Sequence, residues 1–256
     1  MQRYFIVVEG VHDIAAISRY IELIDYKAIR KEHELDDFWK ILIPRQFPFN
    51  GDLRMRVPVP TFYQGNNKSI AIMNSNGITE LVKTVNMLTN IDYELLEGVA
   101  VFCDADNNQA LETVETLKSH FQNGLDEEFQ TKVEWSEFPK SVKENFKFWS
   151  YVFPDNNGTG TLENLLLEGA SSEYSELYNE AESYIEKLSE KNLAYIKNST
   201  FSGSKKDKML VRVIANAMKP GKANQVSIQD NNWITNTTLK NGAQRTFEEF
   251  LRFFLD

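Results

Sequence analysis

The sequence predicts an α/β protein: a mostly parallel sheet flanked by helices, with one insertion and a helical C-terminal extension. Three observations carry this. Apolar, β-favouring runs at residues 3–8, 69–73 and 99–103 read as strands buried on both faces. Each run is followed by a turn and then by apolar residues at helical spacing, the alternation that builds parallel sheets with right-handed crossovers. The last third of the chain carries mainly helical patterns. Residues 1–168 therefore form the main domain, with 26–68 inserted into it, and 169–256 form a mainly helical part packed on it.

In chain order, Arg3-Tyr-Phe-Ile-Val-Val8 is the first strand and ends in Glu9-Gly10-Val11-His12-Asp13. Ile14, Ile17, Ile21 and Ile24 then follow helical spacing. Gly10 is expected to give the backbone a tight turn or a positive φ. Residues 26–68 are punctuated by Pro44, Pro48, Pro58 and Pro60 and suggest a hairpin or flap, with an edge strand over 53–59. Arg45, Arg54 and Arg56 there read as solvated surface residues. After the 69–73 strand, Asn74-Ser-Asn-Gly77 leads into a helix over 78–88, a turn open to phosphate binding or to ordinary capping.

Gly98-Val-Ala-Val-Phe-Cys-Asp-Ala-Asp-Asn-Asn108 is the stretch that carries chemistry. A buried strand stops abruptly at two carboxylates, Asp104 and Asp106, where open α/β sheets bind ligands. Alone, the pair serves equally well as helix caps or as oxygen ligands of Mg²⁺ or Mn²⁺. A helix over 108–121 follows, then strands over 131–137 and 146–153. The second of these ends in Pro154-Asp-Asn-Asn-Gly-Thr-Gly160 and a helix start bearing Glu163, which reads as a capping-type residue or as a further acid of the site. A charged amphipathic helix spans 171–192. A basic segment, Lys205, Lys206, Lys208, Arg212, Lys219 and Lys222, follows, and its cations gather at a helix start, where the macrodipole disfavours them. Asn231-Asn232-Trp233 reads as a polar loop, and 246–255 as a final amphipathic helix.

Composition bounds the function. The 256 residues are 42% hydrophobic and 25% charged, as in ordinary globular chains. The single cysteine, Cys103, excludes a disulfide framework and a cysteine-based zinc site, and its place in a buried strand makes it a core residue. No apolar run is long enough to span a membrane, and signal-peptide regions are lacking, which predicts a cytoplasmic protein. The net charge of −9 weakens a nucleic-acid role without excluding it, since a bound cation reverses the local field.

If the 3–8 and 99–103 strands are neighbours, Glu9, Asp13, Asp104 and Asp106 converge at one sheet edge. Asp13 also suits the first turn of a helix, whereas a Glu at the mouth of a buried strand has no routine structural task. Ile6-Val-Val-Glu-Gly-Val-His-Asp13 and Val101-Phe-Cys-Asp-Ala-Asp106, in that order and each after an apolar strand, resemble the two motifs of the Toprim domain. That fold is shared by topoisomerases, bacterial primases and nucleases of the overcoming-lysogenization-defect type. The resemblance covers about residues 3–168 outside the insertion.

The resemblance implies a Mg²⁺ or Mn²⁺ site built from Glu9, Asp104 and Asp106, with Asp13 nearby, Glu163 as a further acid, and Lys206 or Lys208 as the lysine found farther on in the nucleases. Asn107-Asn108 depart from the glycine these motifs often carry. Two carboxylate-held cations would activate a water and stabilise the leaving oxygen of a phosphodiester. Glu9 serves there as ligand or general base, and a lysine neutralises transition-state charge. The chain is too short for strand passage and shows no primase accessory modules. A metal-dependent nuclease acting on DNA or RNA is thus the leading expectation, with a phage-defence role and an ATPase partner by family analogy and a homodimer left open. The alternatives are a catalytically weak or inactive module that binds nucleic acid or a partner protein, and a phosphohydrolase or phosphotransferase for small phosphorylated molecules. The separate Glu9-Gly10 motif argues against the last.

Overall fold

The computed structural model describes residues 1–46, 59–130, 134–136, 147–191 and 202–256. Among these, seven strands form one sheet: β1 (Gln2–Val8), β2 (Lys27–Ile29), β3 (Thr61–Gly65), β4 (Lys68–Asn74), β5 (Gly98–Asp104), β6 (Glu134–Ser136) and β7 (Lys147–Phe153). Their order across the sheet is β2-β3-β4-β1-β5-β7-β6. The pairs from β4 to β6 are parallel and the two involving β3 are antiparallel. The helices are α1 (Val11–Leu23), α2 (Leu81–Asn86), α3 (Ala110–Gly124), α4 (Glu127–Gln130), α5 (Leu162–Glu173), α6 (Ser175–Glu190), α7 (Ser204–Met218), α8 (Asn224–Asp230) and α9 (Gly242–Leu255). None of the described helices is long and apolar enough to cross a membrane.

The apolar runs are strands covered on both faces, as a parallel sheet requires. Successive side chains of a strand point to opposite faces. Tyr4, Ile6, Val8, Ala100, Phe102, Tyr151 and Phe153 pack under α1 and the C-terminal helices. Phe5, Val7, Val99, Val101, Cys103 and Val152 pack with α2, α3 and Trp39. The C-terminal part completes the first layer: Phe250 of α9 meets Phe102 edge-on at 5.4 Å and Tyr151 at 5.0 Å. Such ring pairs add roughly 0.5–1.5 kcal/mol each beyond area burial.

Several expectations change. Of the segment 26–68, the described residues 26–46 and 59–68 are built into the sheet and core, with β2 and β3 pairing antiparallel as the hairpin alternative expects. Trp39 is fully buried and donates through Nε1 to Ser69 Oγ at 2.7 Å, while β2 and β3 extend the sheet. The hairpin from β3 to β4 turns on Asn66-Asn67, both at positive φ (50° and 60°), the conformation a tight two-residue connection needs. The expected edge strand over 53–59 lies outside the described residues except for Val59, which is in no strand; Arg54, Arg56 and residues 131–133, 137 and 146 are also outside them. Arg45 pairs with Glu32 on the surface at 2.8 Å. The helix expected over 78–88 is α2 flanked by 3₁₀ turns at Ile78–Glu80 and Met87–Asn90. Asn231-Asn232-Trp233 is a loop as expected, but Trp233 does not share the exposure of its polar neighbours. It is fully buried, its Nε1 donates to Ser227 Oγ, and its carbonyl accepts from Gln244 at 2.8 Å. α5 runs so close to this carbonyl that a Cβ on Gly169 would meet it at 2.0 Å. Gly10 does not use a glycine's freedom: its φ is −149° and a Cβ there would make ordinary contact.

Candidate functional site

β1 and β5 are neighbours, with Val8 opposite Phe102, so the acids that follow both strands meet at one edge of the sheet. Their loops are held from both sides. The turn after β4 closes onto β1: Ser75 donates its N–H and hydroxyl to the Val8 carbonyl, and Gly77 N donates to Glu9 O at 2.9 Å. The loop after β7 closes onto β5: Asp106 and Gly160 exchange two backbone hydrogen bonds at 2.7 and 2.9 Å. Gly160 sits at φ +130°, and a Cβ there would stand 2.6 Å from Asn164 Oδ1.

Between these loops lies a cleft of about 310 Å³ lined by Glu9, His12, Asp13, Asp104, Glu163 and Lys208, among others. Glu9 Oε1 accepts the backbone N–H of Asp104 at 3.0 Å. Asp104 Oδ1 accepts the N–H of Leu162, in the first turn of α5, at 2.8 Å. Asp104 thus does cap a helix, but α5 across the cleft and not the helix that follows it: α3 starts at Ala110, where Glu112 accepts the Gln109 N–H. Asp13 accepts the Gly10 N–H at 2.8 Å and caps α1. Glu163 is only 7% exposed and is not the capping residue of α5, because Asn164 accepts the Thr161 N–H at 2.8 Å.

The acids crowd one another. Burial pushes the Asp104 carboxyl up to about 7, and the charges of Glu163 and Glu9 add to it, against the Leu162 N–H and Lys208. Asp13 is raised well above the usual carboxylate range, first by burial and then by Asp104, Glu9 and Glu163. Glu9 is raised by burial and by Asp106, against the Asp104 N–H and Lys208. His12 is lowered, first by burial and then by Arg212 and Lys208, against Glu163.

The predicted site residues fall into three groups. Glu9, Asp13, Asp104, Glu163 and Lys208 share the cleft. Asp106 is exposed, at φ +52°, and reaches the group through its charge on Glu9. Lys206 points the other way, pairing with Glu182 at 3.0 Å and Glu186 at 3.5 Å on α6. The Asn164 amide donates to Asp207 at 2.9 Å, which ties the start of α7 to the start of α5 and sets Lys208 at the acids. His12 lies within the first motif and carries no role from the sequence alone. Its place between Glu9 and Asp13, in the first turn of a helix that opens at a strand end, was the available signal.

Among the described residues no three His, Cys, Asp or Glu side chains stand close enough to hold a metal ion as they are. The donor chemistry nevertheless fits a hard divalent cation: the acids are oxygen ligands, and Asp104 and Asp13 are raised by burial and by the charge of their acidic neighbours. Glu9, Asp104 and Glu163 are the residues that would hold it.

Fold and site together define an α/β protein with an acidic cleft at the C-terminal edge of its parallel strands. The chain belongs to the family described as protein of unknown function DUF3226, whose model matches residues 3–256. It shares its fold with the crystal structure of the hypothetical protein PH0156 from Pyrococcus horikoshii OT3, at a TM-score of 0.53 and 18% identity over 99% of this chain and 94% of that one. No curated protein matches the chain.

Proposed function

We propose that this protein is a divalent-metal-dependent nuclease of the Toprim type, hydrolysing phosphodiester bonds of DNA or RNA with Mg²⁺ or Mn²⁺. One observation carries the reading: the hydrogen bond from Asp104 N to Glu9 Oε1, which joins the acids of the two sequence motifs beside Glu163 and Lys208. A bound cation supplies Lewis acidity and a water made nucleophilic near neutral pH. The chain's own groups do the rest. Glu9, Asp104 and Glu163 fix the acid cluster on two strand ends and one helix start. Lys208 brings an ammonium to the acids, where it offsets negative charge that builds on the phosphoryl oxygens. Asp106 adds to the field from the rim. Phage defence and control by an ATPase partner extend the proposal from the family resemblance alone, and a cytoplasmic location stands beside them as a proposal.

The test is incubation of the purified chain with supercoiled plasmid, single-stranded DNA and transfer RNA, in Mg²⁺ and in Mn²⁺, beside Glu9→Gln and Asp104→Asn. The reading expects cleavage that both substitutions abolish. Equal cleavage by parent and variants contradicts it.

A second reading is a module that binds nucleic acid or a protein without cutting. It is favoured by Glu9, Asp13 and Asp104 each spending one oxygen on a backbone N–H. Calorimetric titration with Mn²⁺ separates the two, since the binding module takes up no metal at millimolar concentration.

A further inference from the structure

The first two turns of α7 carry more cations than the acids require. Lys205, Lys208 and Arg212 stand at i, i+3 and i+7, the spacing that places side chains on one face of a helix. The opposite flank is used differently: Lys206 is held by Glu182 and Glu186 of α6. Farther along, Lys219 is held by Asp230 of α8. Lys205, Lys208 and Arg212 have no ion-pair partner among the described residues. The buried stripe of α7, Leu210, Val211, Ile214 and Ala215, fixes the helix's rotation, and the Asn164–Asp207 hydrogen bond fixes its start. Lys208 lines the cleft. Arg212, one turn on and exposed, bears on His12, which lines the cleft from α1.

We infer that Lys205, Lys208 and Arg212 form a strip that takes the phosphates flanking the one at the acids, so that the cleft accepts a nucleic-acid strand and not a small phosphoester. The inference rests on the nuclease reading for the phosphate at the acids. The strip itself rests on α7. Along the helix axis the three cations are roughly 4.5 and 6 Å apart, at about 1.5 Å per residue, which lets successive phosphates meet separate side chains. The acids repel a strand that lies across them, and the strip supplies the opposite charge alongside in a protein of net charge −9. Arg212 brings a planar fork of donors suited to a phosphate, and Lys208 a point charge.

The experiment is fluorescence anisotropy of a labelled single-stranded oligonucleotide and of a labelled mononucleotide, in EDTA, against a series of salt concentrations. The parent is compared with Arg212→Ala and with Arg245→Ala, which removes the same charge from an exposed position on α9. Arg212→Ala is expected to raise the oligonucleotide Kd about three- to tenfold, and to lower the slope of log Kd against log salt by about 0.7, the value for one phosphate contact on a single strand. The mononucleotide and the Arg245→Ala variant are expected to show neither change. A parent that does not bind the oligonucleotide, or an Arg212→Ala variant no weaker than Arg245→Ala, overturns the strip. Because binding is read without metal, a chain that never cuts but loses affinity in Arg212→Ala contradicts the nuclease reading and leaves the strip standing.

Discussion

Glu9 and Asp104 are joined side chain to backbone: Oε1 of Glu9 accepts the Asp104 N–H at 3.0 Å across the ends of two adjacent strands. The bond separates the structural duty of Glu9 from its chemical one. Glu9→Gln keeps an Oε1 acceptor and removes the charge. Its melting temperature is expected to match the parent's within about 3 °C, the shift that roughly 1 kcal/mol produces in a domain this size, while cleavage falls about 10²- to 10⁴-fold. Glu9→Ala strands the Asp104 N–H and is expected to cost about 1–3 kcal/mol besides. Thermal melts and plasmid cleavage on the same preparations check both.

Asp104 is the residue whose charge works against the fold. Its carboxyl, at about 7, is held far above the usual carboxylate range by burial and by Glu163 and Glu9. Asp104→Asn keeps an Oδ1 to accept the Leu162 N–H and removes the buried charge. In EDTA at pH 8 the variant is expected to be more stable than the parent by about 1–3 kcal/mol, or several degrees in melting temperature, and inactive. A variant less stable than the parent contradicts the crowding of acids in the cleft.

The same group sets a pH dependence. Between the ordinary carboxylate value of 3.8 and about 7, the folded chain keeps a proton on Asp104 that the unfolded chain has released. Stability therefore falls as pH rises through that window and levels off above it. Glu9 and Asp13, also raised, act in the same direction. His12, lowered, acts oppositely just below the ordinary histidine value of 6.5. The difference between parent and Asp104→Asn melts in EDTA, taken from pH 4 to pH 8, reads Asp104 together with its effect on Asp13 and is expected to grow with pH.

The two lysines part company. Lys208→Ala is expected to lower cleavage about 10²- to 10³-fold, the scale of losing one donor to developing negative charge. Lys206→Ala breaks surface pairs to Glu182 and Glu186 and is expected to cost under about 1 kcal/mol of stability with cleavage unchanged. Loss of activity in the second and not the first would reverse the assignment.

Gly160→Ala tests the scaffold. The substitution forces φ +130° on an alanine and drives a Cβ against Asn164, which caps α5 and holds Asp207 of α7. An expected loss of about 1–3 kcal/mol comes with reduced cleavage, because Lys208 is positioned through the same residue. Urea melts and cleavage rates check it together.

What the sequence made legible follows from what repeats in it. Doubly covered strands leave unbroken apolar runs, so β1, β4 and β5, and the acids at two of their ends, were readable. Contacts between distant residues leave no such trace. Trp39 lies in a segment without strand or helix periodicity and Trp233 follows two asparagines, and both are buried by partners far along the chain. The Asn66-Asn67 turn lacks the glycine that marks most tight hairpins. The choice between Lys206 and Lys208 depends on the rotation of α7, which its packing on α5 and α6 decides. The part of Asp104 in capping α5 depends on strand order, which no local pattern encodes.

The central claim is that Glu9, Asp104 and Glu163 form one divalent-metal site. Its most direct test is the anomalous difference density of a crystal of the parent protein soaked in Mn²⁺. The account predicts a peak among these three carboxylates, with Mn²⁺–oxygen distances close to the roughly 2.0–2.6 Å of hard divalent cations, that is absent in Asp104→Asn. A cleft without a peak at saturating Mn²⁺, or a peak that survives Asp104→Asn, contradicts it.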